Sequence, residues 1–486
     1  MIKKRNILLA TITLITLWGC GTRKEEMMQK KRSPNIVYIL ADDLGYGDLG
    51  CYGQDKIATP HLDQMAQEGI RFTRHYAGST VCAPSRSVLM TGLHTGHTPV
   101  RGNREVQPEG QYPLPAGAFT LAEMLKENGY VTGAFGKWGL GFPGSEGDPV
   151  HQGFDRFFGY NCQRYAHRYY PQYLWDNDRK YLLEGNDWSR TVTYAPDVIQ
   201  QKTLSFLQEH RDTTFFVYVP MVIPHAELIV PPDSILERYL GNFKEVPYRG
   251  GPGADYGPEM VIGMYCSQDS PHATFAAMVH RLDRYVGEII QTLEELGIAE
   301  NTLVLFSSDN GPHREGGADP QFFKSSGSLR GMKRDLYEGG IRVPFIAYWP
   351  GTISPGQVSD HVSAFWDILP TMAELTGSEP GETDGISFLP ELLGNDQPEH
   401  ELLYWEFHEQ GGKQALLSDG WKAVRLSVGE NPDAPLELYN LATDPGERID
   451  VASDHPDLVL KLSEMMEKER IPSGEFNFGA ATGSGE

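Results

Sequence analysis

The run Asn35-Ile36-Val37-Tyr38-Ile39-Leu40 is apolar without alternation and stops at Ala41-Asp42-Asp43. Such a run predicts a strand covered on both faces, as in a parallel sheet. Similar runs recur at 214–219, 302–306 and 343–349. Helical periodicity lies between them: 60–69 and 119–129 both stop at glycine, and 273–296 is a longer amphipathic stretch. Strands alternating with helices predict an α/β domain, a large mostly parallel sheet flanked by helices. Irregular segments at about 142–187 and 224–269 interrupt this pattern and are long enough to shape a binding site. After Gly385 the texture changes to short strands at 402–407, 414–417, 421–426 and 436–441, then a helix at 456–470 with Leu458, Leu462 and Met465 on one face. The expected organisation is an α/β domain over 34–385, a smaller C-terminal antiparallel sheet plus helix over 386–472, and a loose tail over 473–486.

A chain of 486 residues suits one large domain with a smaller companion. Its formal charge of −23, from 42 basic and 65 acidic residues, argues against nucleic acid or anionic membrane as the main partner. A polyanionic substrate would need a local cationic pocket. Residues 1–20 read as an export signal: Lys3, Lys4 and Arg5, an apolar stretch over 7–17 too short to span a bilayer, then Leu17-Trp18-Gly19-Cys20. Glycine before cysteine resembles a bacterial lipoprotein box, with Cys20 as a lipid anchor and 21–33 as a tether; ordinary secretion is the alternative. The expected location is exported, periplasmic and membrane-anchored. Five cysteines do not make a disulfide framework in a chain this long, and Cys51, Cys162 and Cys266 default to packing.

Chemistry concentrates in Cys82-Ala83-Pro84-Ser85-Arg86, followed by Ser87-Val88-Leu89-Met90-Thr91-Gly92. Pro84 suits the first turn of a helix and Gly92 its stop, which puts Cys82 at a helix N-terminus and Arg86 one turn along. Backbone N–H groups, helix dipole and guanidinium would then face one anion. Asp42-Asp43 ends the first strand and Ser308-Asp309-Asn310-Gly311 ends another. Oxygen donors at the carboxyl ends of parallel strands lie where such sheets bind ligands, and an all-oxygen set favours Ca²⁺ or Mg²⁺ over Zn²⁺.

Cys-x-Pro-x-Arg with Thr-Gly close behind resembles the maturation motif of the formylglycine-dependent type I sulfatases of the alkaline phosphatase superfamily. The resemblance runs in register from about Pro34 to Asp444. It implies an alkaline-phosphatase-like fold and a sulfuric ester hydrolase. It also implies that a maturation enzyme oxidises Cys82 to formylglycine, whose hydrate is the nucleophile, and that one Ca²⁺ is held by Asp42, Asp43, Asp309 and Asn310 with position 82. Lys137 in Gly136-Lys137-Trp138-Gly139, His225 after Pro224, and Lys333 in Arg330-Gly331-Met332-Lys333 match sulfate-contacting positions, so Cys82, Arg86, Lys137, His225 and Lys333 form the implied catalytic set. Tyr337-Glu338-Gly339-Gly340 also matches, but reads as a turn into a buried strand, which leaves Glu338 outside the site. One departure stands out. The family commonly has histidine where this chain has Gly139, and that histidine is thought to assist proton transfer; His94, His97 and His151 are the unranked candidates to replace it.

The segment Asn161-Cys162-Gln163-Arg164-Tyr165-Ala166-His167-Arg168-Tyr169-Tyr170 is aromatic and cationic. Arg164, His167 and Arg168 could meet sugar hydroxyls or a second anionic group, or the segment could be a surface loop packed by its own tyrosines. It resembles bacterial carbohydrate sulfatases, a subset of which act on galactose or N-acetylgalactosamine 4-sulfates, so a sulfated sugar is the expected substrate. The rivals are a phosphonate or phosphate ester hydrolase on the same scaffold, an inert glycan-binding lipoprotein, and a cysteine hydrolase pairing an unmodified Cys82 with His225. The last leaves the carboxylate cluster without a purpose.

Overall fold

The computed structural model describes residues 33–478, so the export signal, Cys20 and nearly all of the tether lie outside the described residues. In chain order the strands are β1 (Asn35–Ala41), β2 (Ile70–Tyr76), the two-residue β3 (Glu105–Val106) and β4 (Gly110–Gln111), β5 (Val131–Lys137), β6 (Arg156–Tyr160), β7 (Tyr173–Asp176) and β8 (Arg179–Leu182). There follow β9 (Phe215–Pro220), β10 (Thr302–Ser308), β11 (Arg342–Tyr348), β12 (Gln357–Ala364), β13 (Leu403–Phe407), β14 (Lys413–Ser418), β15 (Trp421–Leu426) and β16 (Leu436–Asn440). The main sheet has ten strands in the order β12-β2-β11-β10-β1-β9-β5-β6-β7-β8, and a separate antiparallel sheet runs β13-β14-β15-β16.

Five neighbouring strands, β10, β1, β9, β5 and β6, are mutually parallel. β1, flanked by β10 and β9, shows why an unbroken apolar run is needed there. Ile36, Tyr38 and Leu40 join the core on one face while Val37, Ile39 and Ala41 join the core on the other, each nearly or fully buried. The helix Pro271–Glu295 covers one face with Phe275, Met278, Leu282, Val286 and Ile289. Parallel strands share a direction, so the carboxyl ends of these five open on one rim. Register fixes the heights along it, with Ala41 opposite Ser308, Leu40 opposite Pro220 and Lys137 opposite Tyr160.

Outside this group the sheet departs from expectation. The run at 343–349 forms β11, but it lies antiparallel to both β10 and β2. The segment read as irregular over 142–187 contains β6, β7 and β8, which extend the main sheet. Its aromatic residues are strand and loop packing as well as loop surface. The loose tail does not hold for 473–478: Phe476 is buried against Tyr112 at 5.2 Å and Phe478 stacks on His408 at 4.7 Å. Residues 479–486 lie outside the described residues.

The small sheet joins the core of the large one through an apolar face that includes Leu403, Trp405, Ala415 and Val424, with a buried polar cluster beside it. Glu338 accepts hydrogen bonds from Tyr76 of β2 at 2.9 Å and from Lys422 of β15 at 2.8 Å, while Glu447 accepts from the Glu338 backbone N–H at 2.7 Å. All three ionisable members, Glu338, Lys422 and Glu447, are fully enclosed. Trp405 of β13 adds an Nε1–H donated to the Ala77 carbonyl at 2.9 Å. Glu338 therefore does structural work, in keeping with its exclusion from the site. Lys422→Ala should destabilise the protein by about 3–5 kcal/mol, because it leaves enclosed Glu447 without a cation and Glu338 with Arg342 alone. Urea unfolding measures this, and a loss below about 1 kcal/mol would mean that the cluster does not help to join the sheets.

Candidate active site

The chain leaves β1 at Ala41, and Asp43 adopts a left-handed backbone with φ 63°. That turn lets consecutive side chains, which alternate sides on a strand, face one centre. Asp309 and Asn310 leave β10 at the same height and close the other side. The Asp43 N–H donates to Asp309 Oδ1 at 3.0 Å, and Asn310 Nδ2 donates to Asp43 Oδ1 at 2.7 Å. Asp42, Asp43, Asp309 and Asn310 are all buried, at 1% exposure or less. Sequence-expected oxygen donors from strands about 265 residues apart along the chain are thus side by side.

Cys82 begins the helix Cys82–Thr91, whose stop, Gly92, has the left-handed φ of 68° expected of a C-cap glycine. Cys82 Sγ lies 3.4 Å from Asp42 Oδ1 and 3.3 Å from Lys137 Nζ, and Lys137 Nζ donates to Asp42 Oδ2 at 2.7 Å. Lys333 Nζ donates to Asp43 Oδ2 at 2.7 Å and sits 3.0 Å from His225 Nε2. Cys82, His225, Asp42 and Asp43 each offer one atom within 4.8 Å of the others. Arg86 is one turn along as expected, but its guanidinium is held by Asp309 Oδ2, at 2.8 Å and 3.1 Å, and by the Lys137 carbonyl. It braces the carboxylates from behind.

Three enclosed carboxylates face three enclosed cations, and their balance sets the electrostatics. Burial works against ionisation of Asp42, yet Lys137 and Arg86 hold it down at about 2. Burial and then Asp42 push Asp309 up to about 6 against the pull of Arg86. The side-chain cations hold Asp42 and Asp43 down, and Asp309 is the carboxylate least compensated. Burial and Asp42 also push the Cys82 thiol well above its ordinary range, so an unmodified Cys82 stays a thiol. This weakens the cysteine hydrolase reading. His225 Nδ1 donates to the Ala226 carbonyl at 2.5 Å, which leaves Nε2 as the acceptor for Lys333; burial and Lys333 hold the ring neutral.

The donor set fits a hard divalent cation. Asn310 Oδ1 is buried without a hydrogen-bond partner beside three enclosed carboxylates, and every donor except position 82 and His225 is oxygen. Of the remaining expected residues, Arg168 is committed to Glu227 at 2.7 Å and to the Val261 carbonyl at 2.9 Å, wholly buried. Arg164 pairs with Glu105 at 3.3 Å. His167 stacks face to face on His225, with ring centres 4.7 Å apart. Of the three histidines considered for the role missing at Gly139, His94 and His97 turn to Asp384 and Glu469, and His151 Nδ1 meets the Ser145 carbonyl at 2.8 Å.

Several neighbours were not legible beforehand. Asn103 Oδ1 accepts from the Ala83 N–H at 3.1 Å, at the start of the Cys82 helix. His313 stacks on the other face of His225 at 5.3 Å, and Glu315 lies 3.5 Å from Lys333. The signal for the last two was their place just after Asp309-Asn310; Asn103 carries no local signal.

A family profile described as Sulfatase matches residues 34–378, and one described as N-sulphoglucosamine sulphohydrolase, C-terminal, matches 331–471. An N-acetylgalactosamine-6-O-sulfatase of Bacteroides thetaiotaomicron is 29% identical, covering 95% of this chain and 97% of its own length. Human arylsulfatase A is 32% identical, covering 89% and 87%. The solved structure of Ps i-CgsB in complex with k-i-k-neocarrahexaose is 26% identical with a TM-score of 0.76, covering 93% and 96%. Phosphonate monoester hydrolase of Agrobacterium radiobacter, at 21% identity and a TM-score of 0.62, shares the fold.

The unpartnered Asn310 Oδ1 among three enclosed carboxylates has a measurable consequence. Ca²⁺ added to chelator-stripped protein at about 100 times its Kd should stabilise the fold by about 2.7 kcal/mol, read as a rise in Tm. Asp309→Ala should remove most of that rise; a stripped protein whose Tm ignores Ca²⁺ and Mg²⁺ would contradict a cation site.

Proposed function

Because the chain belongs to the sulfatase family and is a type I sulfuric ester hydrolase, we propose that it removes sulfate from a sugar, using Cys82 matured to formylglycine beside a calcium ion. The observation that carries this reading is the meeting of Cys82 Sγ, Lys137 Nζ and the Asp42 carboxylate within 3.4 Å at the rim of the parallel strands. Asp42, Asp43, Asp309 and Asn310 would hold the calcium, which when bound polarises a sulfate oxygen and neutralises charge. Formylglycine at position 82 would supply, as its hydrate, an oxygen nucleophile where Sγ stands.

The rest is done by this chain's own side chains. Lys137 touches both position 82 and Asp42, so it orients the nucleophile and offsets charge on the sulfate. Arg86, fixed through Asp309, keeps the carboxylates in register and adds positive potential. Lys333 Nζ donates to His225 Nε2 at 3.0 Å while the Ala226 carbonyl holds the proton of the opposite nitrogen, so the neutral ring orients Lys333, whose ammonium gives one proton to the leaving sugar oxygen and becomes the neutral amine. Position 139 lacks an imidazole, and no proton step is assigned to it.

A carbohydrate substrate is supported by the relatives whose names include N-acetylgalactosamine and a carrageenan-type oligosaccharide complex. Within that class the sugar we propose is galactose or N-acetylgalactosamine, with sulfate at position 4. We also propose export with Cys20 as the lipid anchor and maturation by a dedicated oxidising enzyme. A phosphoester or phosphonate hydrolase is not favoured, since the similarity to that enzyme is one of fold.

Cys82→Ala should abolish turnover of aryl and sugar sulfates while leaving Tm within a few degrees. Mass spectrometry of the peptide containing Cys82, from native expression, should show the aldehyde; a thiol in fully active protein would overturn the mechanism. Lys333→Ala should lower kcat by roughly 10²–10³, the usual loss for one preorganised donor at developing charge. Sulfated monosaccharides assayed at positions 4 and 6 decide the regiochemistry, and faster hydrolysis of aryl phosphate than aryl sulfate would reverse the assignment.

A further inference from the structure

Lys137 of β5 stands opposite Tyr160 of β6 in parallel register, so Gly139 and the segment from Asn161 to His167 emerge together just past the carboxyl ends. The Gly139 N–H donates to the Asn161 carbonyl at 3.2 Å. Gly139 has a left-handed φ of 77°, and a Cβ there would stand 3.1 Å from Gln163 Nε2. The carboxamide of Gln163 thus fills the room that a side chain at position 139 would need.

This segment carries an unusual load of unsatisfied polarity. Asn161, 1% exposed, has neither Oδ1 nor Nδ2 paired; Gln163, 6% exposed, has Nε2 unpaired; and His167 Nδ1 is unpaired as well. Buried polar atoms without partners are costly and normally find a protein group, a water or a ligand. The two guanidinium groups of the segment also leave an Nε without a hydrogen-bond partner, but each is ion-paired, Arg164 with Glu105 and Arg168 with Glu227. The groups left over with no partner of any kind are amide and imidazole, neutral donors and acceptors. Burial and the nearby Lys137 and Lys333 hold the His167 ring neutral. His167 also stacks on His225, whose Nε2 faces Lys333, so the unpaired groups adjoin the leaving-oxygen end of the site.

We propose that Asn161, Gln163 and His167 form an uncharged hydrogen-bonding subsite for the hydroxyl or acetamido groups of the sugar that bears the sulfate. The inference rests on the sulfatase reading and narrows it: the reacting sugar carries neutral groups beside its sulfate, not a second sulfate or a carboxylate. Gln163 replaces the shape of the family's histidine but not its basicity, because a carboxamide holds and offers hydrogen bonds without taking up a proton.

The test compares a monosulfated galactose or N-acetylgalactosamine with 4-nitrophenyl sulfate, which has no hydroxyls to read. Asn161→Ala, Gln163→Ala and His167→Ala should each lower the ratio of kcat/KM for sugar over aryl sulfate by roughly ten- to hundredfold. A ratio on one sample is independent of how much of it is folded. Wild type should also prefer the monosulfated sugar to its disulfated counterpart by at least about tenfold. Unchanged ratios, or a preference for the disulfated sugar, would overturn the subsite. Calorimetric binding of the monosulfated sugar to Cys82→Ala protein, weakened by adding Gln163→Ala, tests it without turnover; an unchanged Kd there refutes it even if sulfatase activity stands, whereas absent sulfate turnover with weakened binding refutes only the activity.

Discussion

Everything at the rim depends on keeping Asp42, Asp43 and Asp309 ionised and close together while out of water. Taking such charges from solvent costs several kcal/mol per ion unless partners are already in place. The chain meets that cost with Lys137, Lys333 and Arg86, each at about 2.7–2.8 Å from a carboxylate oxygen. Asp309, pushed up first by burial and then by Asp42, is the carboxylate least compensated. A rigid cluster with carboxylates at its centre and lysines beside them offers a divalent cation and an anionic ester adjacent places, which is the requirement for sulfate ester chemistry.

The sheet supplies rigidity because parallel strands deliver Asp42, Asp43, Lys137 and Asp309 to one edge, where the helix Cys82–Thr91 adds Arg86 and the loop before β11 adds Lys333. Parallel pairing allows it: every strand ends on the same side, and crossover helices hold both faces dry. The antiparallel second sheet packs an apolar face on the main core, and Glu338, Lys422 and Glu447 add a buried polar contact beside it. Ion pairs of fixed geometry set the register of a joint whose apolar part is less directional. The same turn that carries Glu338 follows Lys333 by five residues, so the joint between sheets and the proton-bearing lysine share one stretch of chain.

Legibility in the sequence followed the physics of each signal. Runs such as 35–40 announce buried central strands because both faces must be apolar, and Cys82-x-Pro84-x-Arg86 announces a helix start because proline and glycine punctuate it. β2, whose sequence mixes Ile70, Phe72 and Tyr76 with Arg71, Arg74 and His75, was illegible because one of its partly covered faces tolerates polarity. β7 and β8 were missed for the same reason: β8 is exposed along its whole length. In the site, groups fixed by covalent neighbours could be read, whereas partners set by tertiary contact could not. Arg168 looked free in sequence and is spent on Glu227; Asn103 looked ordinary and caps the nucleophile's helix.

Gly139 shows how a site can lose a residue and remain coherent. A histidine there would carry its ring into space now held by the Gln163 side chain, and the backbone at φ 77° is one that glycine adopts without strain. In this chain a small residue on one loop leaves room for a longer polar one from the next. Position 139 thus carries no titratable group beside Lys137, and amides stand there instead. Proton traffic falls to Lys333, bonded to His225, whose ring is stacked between His167 and His313. His167 therefore connects the groups that move protons with the amides that read hydroxyls, and each set is built from side chains suited to it.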